Sequence, residues 1–538
     1  MVKNSTSNNS YAIDFGTSNT VVTRWNEATE TATVIRIPGL SQLIDNNEPL
    51  IPSLIYVQDA STEQLLIGQQ VRDRGLDLAQ DSRFFRAFKR GIGTDIQGFL
   101  PELDGKTLSF EQIGQWYLTH IIEQLKAQNN QPITSLVLTV PVDSFEIYRL
   151  WLNDICRSLD IEKVKIIDEP TAAALGYGVA NQDLLLVVDF GGGTIDLSLI
   201  ELTQKTVPNQ GFILKWGSKI LGENTAQKPQ LAKVIAKAGE NLGGTDIDNW
   251  LVDYFAEKQN VPKSSLITSL AEKIKIKLSS QTAASEVYFD DETLQSYELS
   301  LNRREFTEIL SFNKVFSRLD ELINKIAQQA RRRGVEITNI NNVLLVGGSV
   351  KIPQVQTWIK QHFDEALIKC DRPLTAVAEG ALQITQGLEV KDFLYHSYGI
   401  RYWNRREKRH DWHPLIKSGQ PYPMAQPISI TLGASVENQP CVELIIGELG
   451  TNAVATEVYF DGDRLVTRNL GNSQTQVKPL NDSENAKTLA ILDPPGNPGS
   501  DRIELRFQLD EQCLLTVTVE DLLTDSILLD SQIIAQLK

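Results

Sequence analysis

Two segments far apart in the chain carry the same device. Residues 11–22 read Y-A-I-D-F-G-T-S-N-T-V-V, and residues 184–199 read L-L-L-V-V-D-F-G-G-G-T-I-D-L-S-L. Each runs from an apolar, strand-like stretch through Asp-Phe-Gly into a short polar turn and then a second apolar stretch. One such turn alone reads equally well as a plain β-hairpin. Two copies, each with an Asp in the same place followed by glycine and hydroxyl side chains, favour a duplicated fold with its turns facing each other across a crevice. A polyphosphate held there would have an Asp from each side directed at its metal.

The chemistry of the turns fits that arrangement. Glycines expose backbone N–H groups without side-chain obstruction, and Thr or Ser adds hydroxyl donors. Gly16, Thr17, Ser18 and Asn19 supply this on one side, and Gly191, Gly192, Gly193 and Thr194 on the other. Asp14 and Asp189 each end a strand, where they can hold Mg²⁺ through its hydration shell, since that ion prefers oxygen ligands and keeps several waters. Asp189-Phe190-Gly191 also spells the D-F-G of protein kinases, but the chain has no H-R-D catalytic loop, no V-A-I-K strand and no G-x-G-x-x-G. A G-x-x-x-x-G-K-[ST] phosphate loop is missing too.

The alternation of patterns through the first ~390 residues argues for α/β architecture with ligands at strand C-termini. Strands are expected at Ser135–Val140, 163–167, Leu184–Phe190 and Asn342–Val346, and helices at 110–128, 143–159, 246–258 and 303–333. Residues 217–239, with Gly, Lys and Gln around a short helical pattern, read as an insertion near the second turn. After about residue 387 the helical periodicity fades. Short alternating runs at 427–431, 441–446, 455–460, 503–509, 514–519 and 526–529 are separated by Gly, Pro, Asn and Asp, the pattern of an antiparallel β-sandwich. The domain plan is therefore a disordered N-terminus at 1–9, an α/β two-lobed domain at 10–388, a linker at 389–396 and an all-β sandwich at 397–538. The linker is apolar, which suits either docking onto a neighbouring domain or the end of a strand.

Charge and composition exclude several functions. Among 538 residues, 52 Lys and Arg stand against 68 Asp and Glu, a net charge of −16. Sequence-independent binding to nucleic acid or to an anionic membrane requires cationic surface instead. The four cysteines have no CxxC or metal-ligand spacing and read as free thiols in a reducing compartment. No signal peptide is evident, and the longest apolar run, 184–188, is too short to span a bilayer. A cytoplasmic protein is expected.

Further motifs make the pattern specific. In order they are V-P at 140–141 with Arg149, I-I-D-E-P-T-A-A-A-L-G-Y-G at 166–178, N-L-G-G-T-D-I-D at 241–248, A-E-K-I-K-I-K-L-S-S at 271–280 and V-G-G-S-V-K-I-P at 346–353. Together with the two turns, they resemble the seventy-kilodalton heat-shock chaperone family, whose ATPase domain shares the actin and hexokinase fold. Segments at 415–423, 436–448, 503–510 and 515–519 are similar to the family's peptide-binding sandwich. The resemblance implies that ATP or ADP with Mg²⁺ is bound, that Glu169 positions the attacking water, and that Thr17 and Thr194 contact the γ-phosphate. It implies backbone approach at Gly243, Gly244, Gly347, Gly348 and Ser349. It makes Glu272, Lys275 and Ser279, which share one helix face by their spacing, the adenosine wall, and it puts Asp196 outside direct contact. Pro141 and Arg149 resemble the family's interdomain relay.

The chain also departs from the family. The family's γ-phosphate lysine has its counterpart, by G-x-x-x spacing, in Gly68 to Arg72, which makes Arg72 the catalytic cation. Ile276 and Lys351 stand where the family has arginines. The basic stretch 404–410 replaces a short, largely uncharged hairpin and would bias clients toward acidic segments or simply be solvated. The family's helical lid and its C-terminal co-chaperone-binding tail have no counterpart before Lys538. The expected function is that of an ATP-hydrolysing, chaperone-like protein that binds unfolded or extended polypeptide, with co-chaperones as further expected partners; the alternative is a non-hydrolysing nucleotide-binding scaffold or exchange partner of a chaperone.

Overall fold

The computed structural model describes residues 9–537 except 45–47, 79–80, 95, 98–100, 130–131, 142–147, 149–150, 153, 157–158, 160, 162, 180–182, 205–229, 291–293, 387–393, 395, 405–408, 418–419, 421, 425, 450–455, 462–463, 470–476, 483–487, 500 and 511. Residues 1–8 of the N-terminal segment, Arg149, most of 143–159 and of the linker, 217–229 of the expected insertion and 405–408 of the basic stretch lie outside the described residues. The chain forms two compact units. The first comprises Met1–Val390 with Thr456–Arg468, and the second Lys391–Ala455 with Asn469–Lys538.

The first unit is built on two sheets of one plan. In the first, Ser10–Phe15 and Asn19–Asn26 form an antiparallel hairpin, and Ser135–Val140 and then Val164–Asp168 extend it in parallel beyond the first strand. In the second, Leu184–Phe190 and Ile195–Gln204 form the hairpin, and Asn342–Val346 and then Ile368–Lys369 extend it in the same sense. Parallel strands are covered on both faces and read as continuous apolar runs. Ser135–Val140 is buried at every position, and Leu184–Phe190 at all but Asp189. Both hairpin turns therefore open at the same end of their sheets.

A helix follows the last parallel strand of each sheet, Glu169–Gly176 in the first and Ala376–Gln383 in the second. The two helices pack backbone to backbone. A Cβ on Gly176 would lie 1.8 Å from the Ala376 carbonyl oxygen, and one on Gly380 would lie 1.9 Å from that of Ala172. Arg372 ties the crossing by donating to the Gly176 carbonyl at 2.8 Å and to Glu379 at 2.7 Å.

Three elements differ from expectation. The periodic stretch 303–333 is two helices, Arg303–Phe312 and Val315–Arg332, because Lys314 adopts a left-handed backbone conformation at φ 58°. Residues 230–239 are not helical. They lie in the strand Gln230–Glu240, which pairs antiparallel with Ile195–Gln204. The helix expected at 246–258 begins earlier, at Gly244, where the Asp246 carboxylate reaches back to accept the Gly243 N–H at 2.8 Å.

The second unit is a β-sandwich. One sheet runs Arg409–Ile416, Ser397–Asn404, Ile446–Leu449, Lys478–Pro479, and the other Ile428–Leu432, Ile503–Leu509, Leu514–Asp521, Ser526–Gln536; Gln439–Leu444 and Thr488–Gly496 pair separately. Alternation along Ile503–Leu509 turns Ile503, Leu505, Phe507 and Leu509 inward, where they pack with Tyr398, Ile400, Leu444 and Val517. The run 441–446 is broken at Ile445, whose carbonyl accepts the Arg401 N–H. Leu394, from the apolar linker, is buried in this core. The strand Thr456–Asp461 pairs instead with Ile96–Gln97, in the first unit. No helix among the described residues is long and apolar enough to cross a membrane.

Candidate functional site

The two Asp turns meet. A Cβ on Gly192 would fall 2.0 Å from Ser18 Oγ, and one on Gly193 would fall 2.6 Å from Thr17 Oγ1. Only glycine permits such an approach, so the second turn presents a nearly bare backbone to the hydroxyls of the first. Each turn is held in shape locally. Ser53 donates its hydroxyl to the Gly16 carbonyl at 2.7 Å and its N–H to that of Ser18 at 2.9 Å. Gly16 lies tight against the Asn19 carbonyl, and Gly191 N–H closes the second turn on the Thr194 carbonyl at 3.0 Å.

Two further glycine pairs converge on the second turn. Gly244 and Thr245 donate their N–H groups to the Gly191 and Gly192 carbonyls at 3.0 and 2.8 Å, and a Cβ on Gly243 would lie 2.4 Å from the Gly192 carbonyl. Gly347 adopts φ 85°, and a Cβ there would strike the Phe190 carbonyl and lie 2.8 Å from Asp189 Oδ1. Gly348 opens the short 3-10 helix Gly348–Lys351, from which the Ser349 hydroxyl donates to the Gly191 carbonyl at 2.9 Å.

Beside the turns lies a buried cluster of carboxylates with one lysine. Asp14 is the last residue but one of its strand and accepts a 2.6 Å hydrogen bond from the Thr139 hydroxyl. Asp189 stands directly opposite Asp196 in the hairpin register, which places both side chains on one sheet face. Glu169 opens the helix Glu169–Gly176, which is capped by Asp168 accepting from Thr171 N–H at 2.9 Å and stiffened by Pro170. Lys89 donates to Glu169 Oε1 at 2.9 Å, both side chains being nearly buried, and its ammonium lies 5.6 and 5.9 Å from the ring centroids of Phe15 and Tyr148. A pocket alongside is lined by Pro141, Glu169, Asp189, Asp196, Ser198 and Lys237.

The electrostatics show what the cluster lacks. Burial and the neighbouring Glu169 charge push Asp14 up to about 6, against Lys89 and the Thr139 hydrogen bond. Burial, then Glu169, Asp196 and Asp14, raise Asp189 well above the ordinary carboxylate range. Burial disfavours the charge on Lys89, but Glu169, Tyr148 and Asp14 outweigh it and hold the ammonium protonated. One lysine does not neutralise this set, so a divalent cation at the turns would relieve the repulsion between Asp14 and Asp189. Among the described residues no group of three or more His, Cys, Asp or Glu is disposed to hold a metal ion.

The third wall is the helix Ser265–Ser280. Lys275 donates to the Gly244 carbonyl and to Asp248 Oδ2, both at 2.8 Å, and Ser279 donates back to the Lys275 carbonyl at 3.3 Å. Glu272 accepts from Arg72 at 3.3 Å. Burial opposes ionisation of Glu272, but Arg72, Lys275 and Arg86 together hold its carboxyl below the ordinary range. Ile276 is half exposed on this helix.

The sequence-predicted residues thus come together with one displacement. Arg72 is turned to Glu272 and Gln42, and the cation that meets the carboxylate cluster is Lys89. The spacing Gly68-x-x-x-Arg72 points to Arg72, whereas Lys89 lies outside that pattern, in the short 3-10 helix Phe88–Gly91. The available signal is a lysine directly after Phe88, with a glycine two positions on. Ser53 and Thr139 stand in no motif of the sequence, and Asp248 closes the N-L-G-G-T-D-I-D motif without a role of its own there.

Paired Asp-turn hairpins on duplicated sheets, with a sandwich in the second unit, define an actin-like ATPase-type domain followed by an all-β sandwich domain. The profile of the Hsp70 protein family matches residues 51–208 and 231–402. These matches cover well over half of the sequence, and the chain belongs to the Hsp70 family. A curated relative, the chaperone protein DnaK1 of Synechocystis sp., is 27% identical over 516 residues, a match that covers 87% of this chain and 65% of the relative's length.

Proposed function

We propose that this protein is an ATP-dependent chaperone that binds and hydrolyses ATP and holds unfolded or extended polypeptide on its β-sandwich. The carrying observation is the juxtaposition of the two glycine-hydroxyl turns with the cluster of Asp14, Glu169, Asp189 and Lys89. Thr17, Ser18 and the backbone of 192–193 offer donors to a phosphate chain, and Gly191 exposes bare backbone beside them. Thr194 adds a hydroxyl. Gly243, Gly244, Gly347, Gly348 and Ser349 keep side chains out of its path, and Glu272, Lys275 and Ser279 form the nucleoside wall. Asp14 and Asp189 would hold Mg²⁺ through water, and that ion would supply positive charge to the phosphate oxygens.

The chain's own part in hydrolysis is positioning and electrostatics, as phosphoryl transfer requires. Glu169 accepts a proton from the attacking water. Its ion pair with Lys89 holds it oriented for this, and Lys89 places a buried positive charge where charge grows on the transferred group. Cytoplasmic residence is supported by four cysteines that form no disulfide. Polypeptide clients and co-chaperones are the partners that family membership supports.

Single-turnover hydrolysis of ATP by the wild type, Asp189→Asn and Glu169→Ala tests the reading. The wild type should exceed both variants by about 100-fold. Equal rates in all three would leave a nucleotide-binding scaffold in place of an ATPase.

A further inference from the structure

We propose that Asp248 is the positioning residue for Lys275 and thereby sets the affinity of this site for a nucleoside di- or triphosphate; the inference rests on the nucleotide-binding reading above. Asp248 lies in the helix Gly244–Gln259, which begins at the glycine pair beside the second turn. Its side chain is 3% exposed. Oδ2 accepts the Lys275 ammonium at 2.8 Å, while the buried Oδ1 has no hydrogen-bond partner among the described residues. A carboxylate withdrawn this far from water is costly unless an opposite charge meets it. Burial pushes Asp248 up to about 6 and Glu272 adds to this, while Lys275 and Arg86 pull it back.

Lys275 occupies a junction. Besides Asp248 it is bonded to the Gly244 carbonyl, and Gly244 in turn donates its N–H to the Gly191 carbonyl of the phosphate turn. A Cβ on Gly244 would lie 3.1 Å from the Lys275 ammonium and 3.0 Å from Ser349 Oγ. Two N–H groups of the ammonium are thereby directed, and the third remains for a ligand. A lysine on a flexible four-carbon stem needs such fixing, because ordering it on binding would otherwise lower affinity. Glu272, one turn earlier on the same helix, competes for the ammonium. Asp248 keeps Lys275 on the Gly244 side, while Arg72 occupies Glu272.

The test measures Mg²⁺-ADP and Mg²⁺-ATP binding to full-length wild type, Asp248→Asn, Asp248→Glu, Lys275→Met and the Asp248→Asn/Lys275→Met double variant, with melting of each nucleotide-free protein as a folding control. Asp248→Asn should weaken both nucleotides about tenfold, with partial recovery in Asp248→Glu. In turnover the loss should fall on KM, with kcat moving less than about threefold. Because Asp248 acts through Lys275, the double variant should bind within about twofold of Lys275→Met alone. Wild-type affinity in Asp248→Asn, or losses that multiply in the double variant, would overturn the proposal while leaving nucleotide binding intact. Should Asp248→Asn not fold, full affinity in both Asp248→Glu and Lys275→Met would overturn it equally. A wild type that binds neither nucleotide would remove both readings, a distinct result.

Discussion

At the scale of single residues, the exchange of Arg72 for Lys89 carries the most chemistry. A lysine offers a compact point charge, and Lys89 is set between Glu169 and two aromatic rings, where little water screens it. Lys89→Met is expected to lower the single-turnover ATPase rate by about 100-fold. Arg72→Ala should act on KM through Glu272, and kinetics at varied ATP separate the two; a larger kcat loss in Arg72→Ala would reverse the assignment. The sequence made the turns legible because several glycines and hydroxyls must occur together there, whereas a lone cation can be placed only by the fold around it. A second residue-scale case lies in the sandwich, where Arg502 meets the wholly buried Asp521 at 2.7 Å. Burial opposes ionisation of Asp521, yet the hydrogen bonds from Arg502 and the Leu523 N–H win and lower its pKa. A depressed carboxylate contributes stability that is present above the unfolded value near 3.9 and lost as pH falls through the folded one. Arg502→Ala should therefore destabilise the protein by about 3–5 kcal/mol at pH 7. Chemical denaturation should show that deficit shrinking below about pH 4 as Asp521 takes up a proton; a deficit independent of pH would exclude the ion pair as its cause.

At the scale of elements, the crossing of Glu169–Gly176 with Ala376–Gln383 shows how structure and site depend on one another. The first helix carries Glu169 at its N-terminus, and glycines at 176 and 380 let it lie against the helix from the other sheet. Gly380→Ala would place a methyl 1.9 Å from a backbone oxygen, where no flexible side chain can give way. A loss of about 3 kcal/mol is expected, at the upper end for overpacking, together with a reduced hydrolysis rate as Glu169 shifts. Calorimetry and single-turnover kinetics check the two; a variant as stable as wild type would mean that the helices separate freely. The sequence showed the first helix through its E-P-T-A-A-A-L run, but not its partner, because A-V-A-E-G-A-L-Q is an ordinary apolar helix until its neighbour is known. The same limit explains two of the three elements that differ from expectation. Apolar spacing continues through Asn313 and Lys314, so the break between Arg303–Phe312 and Val315–Arg332 leaves no mark in periodicity. The strand Gln230–Glu240 is rich in lysine and alanine, and its strand form comes from pairing with Ile195–Gln204, a tertiary override of weak local preference.

At the scale of the whole molecule, duplication of the sheets was readable because each copy announces itself with an Asp turn, and the change of texture near residue 387 marked the sandwich. The return of Thr456–Arg468 to the first unit was not readable, since an alternating run identifies a strand without naming its partner. If the first unit hydrolyses ATP and the sandwich holds polypeptide, as proposed, joining them has use only if the two occupancies influence each other, and any such influence is reciprocal. If ATP lowers the affinity for an extended peptide by some factor, the peptide must lower the affinity for ATP by the same factor. Glu169→Ala allows both to be measured without turnover. Peptide titrations with and without Mg²⁺-ATP, and ATP titrations with and without saturating peptide, should give matching factors of about 5–150. A factor of one in both directions would mean that the units act independently, and the proposed chaperone cycle would lose its coupling even with ATPase activity intact. Mismatched factors would indicate that the peptide binds somewhere other than a single linked site. An acidic peptide that binds more tightly than its neutral analogue, with the preference lost in Arg409→Ser, would tie client choice to the basic stretch 404–410.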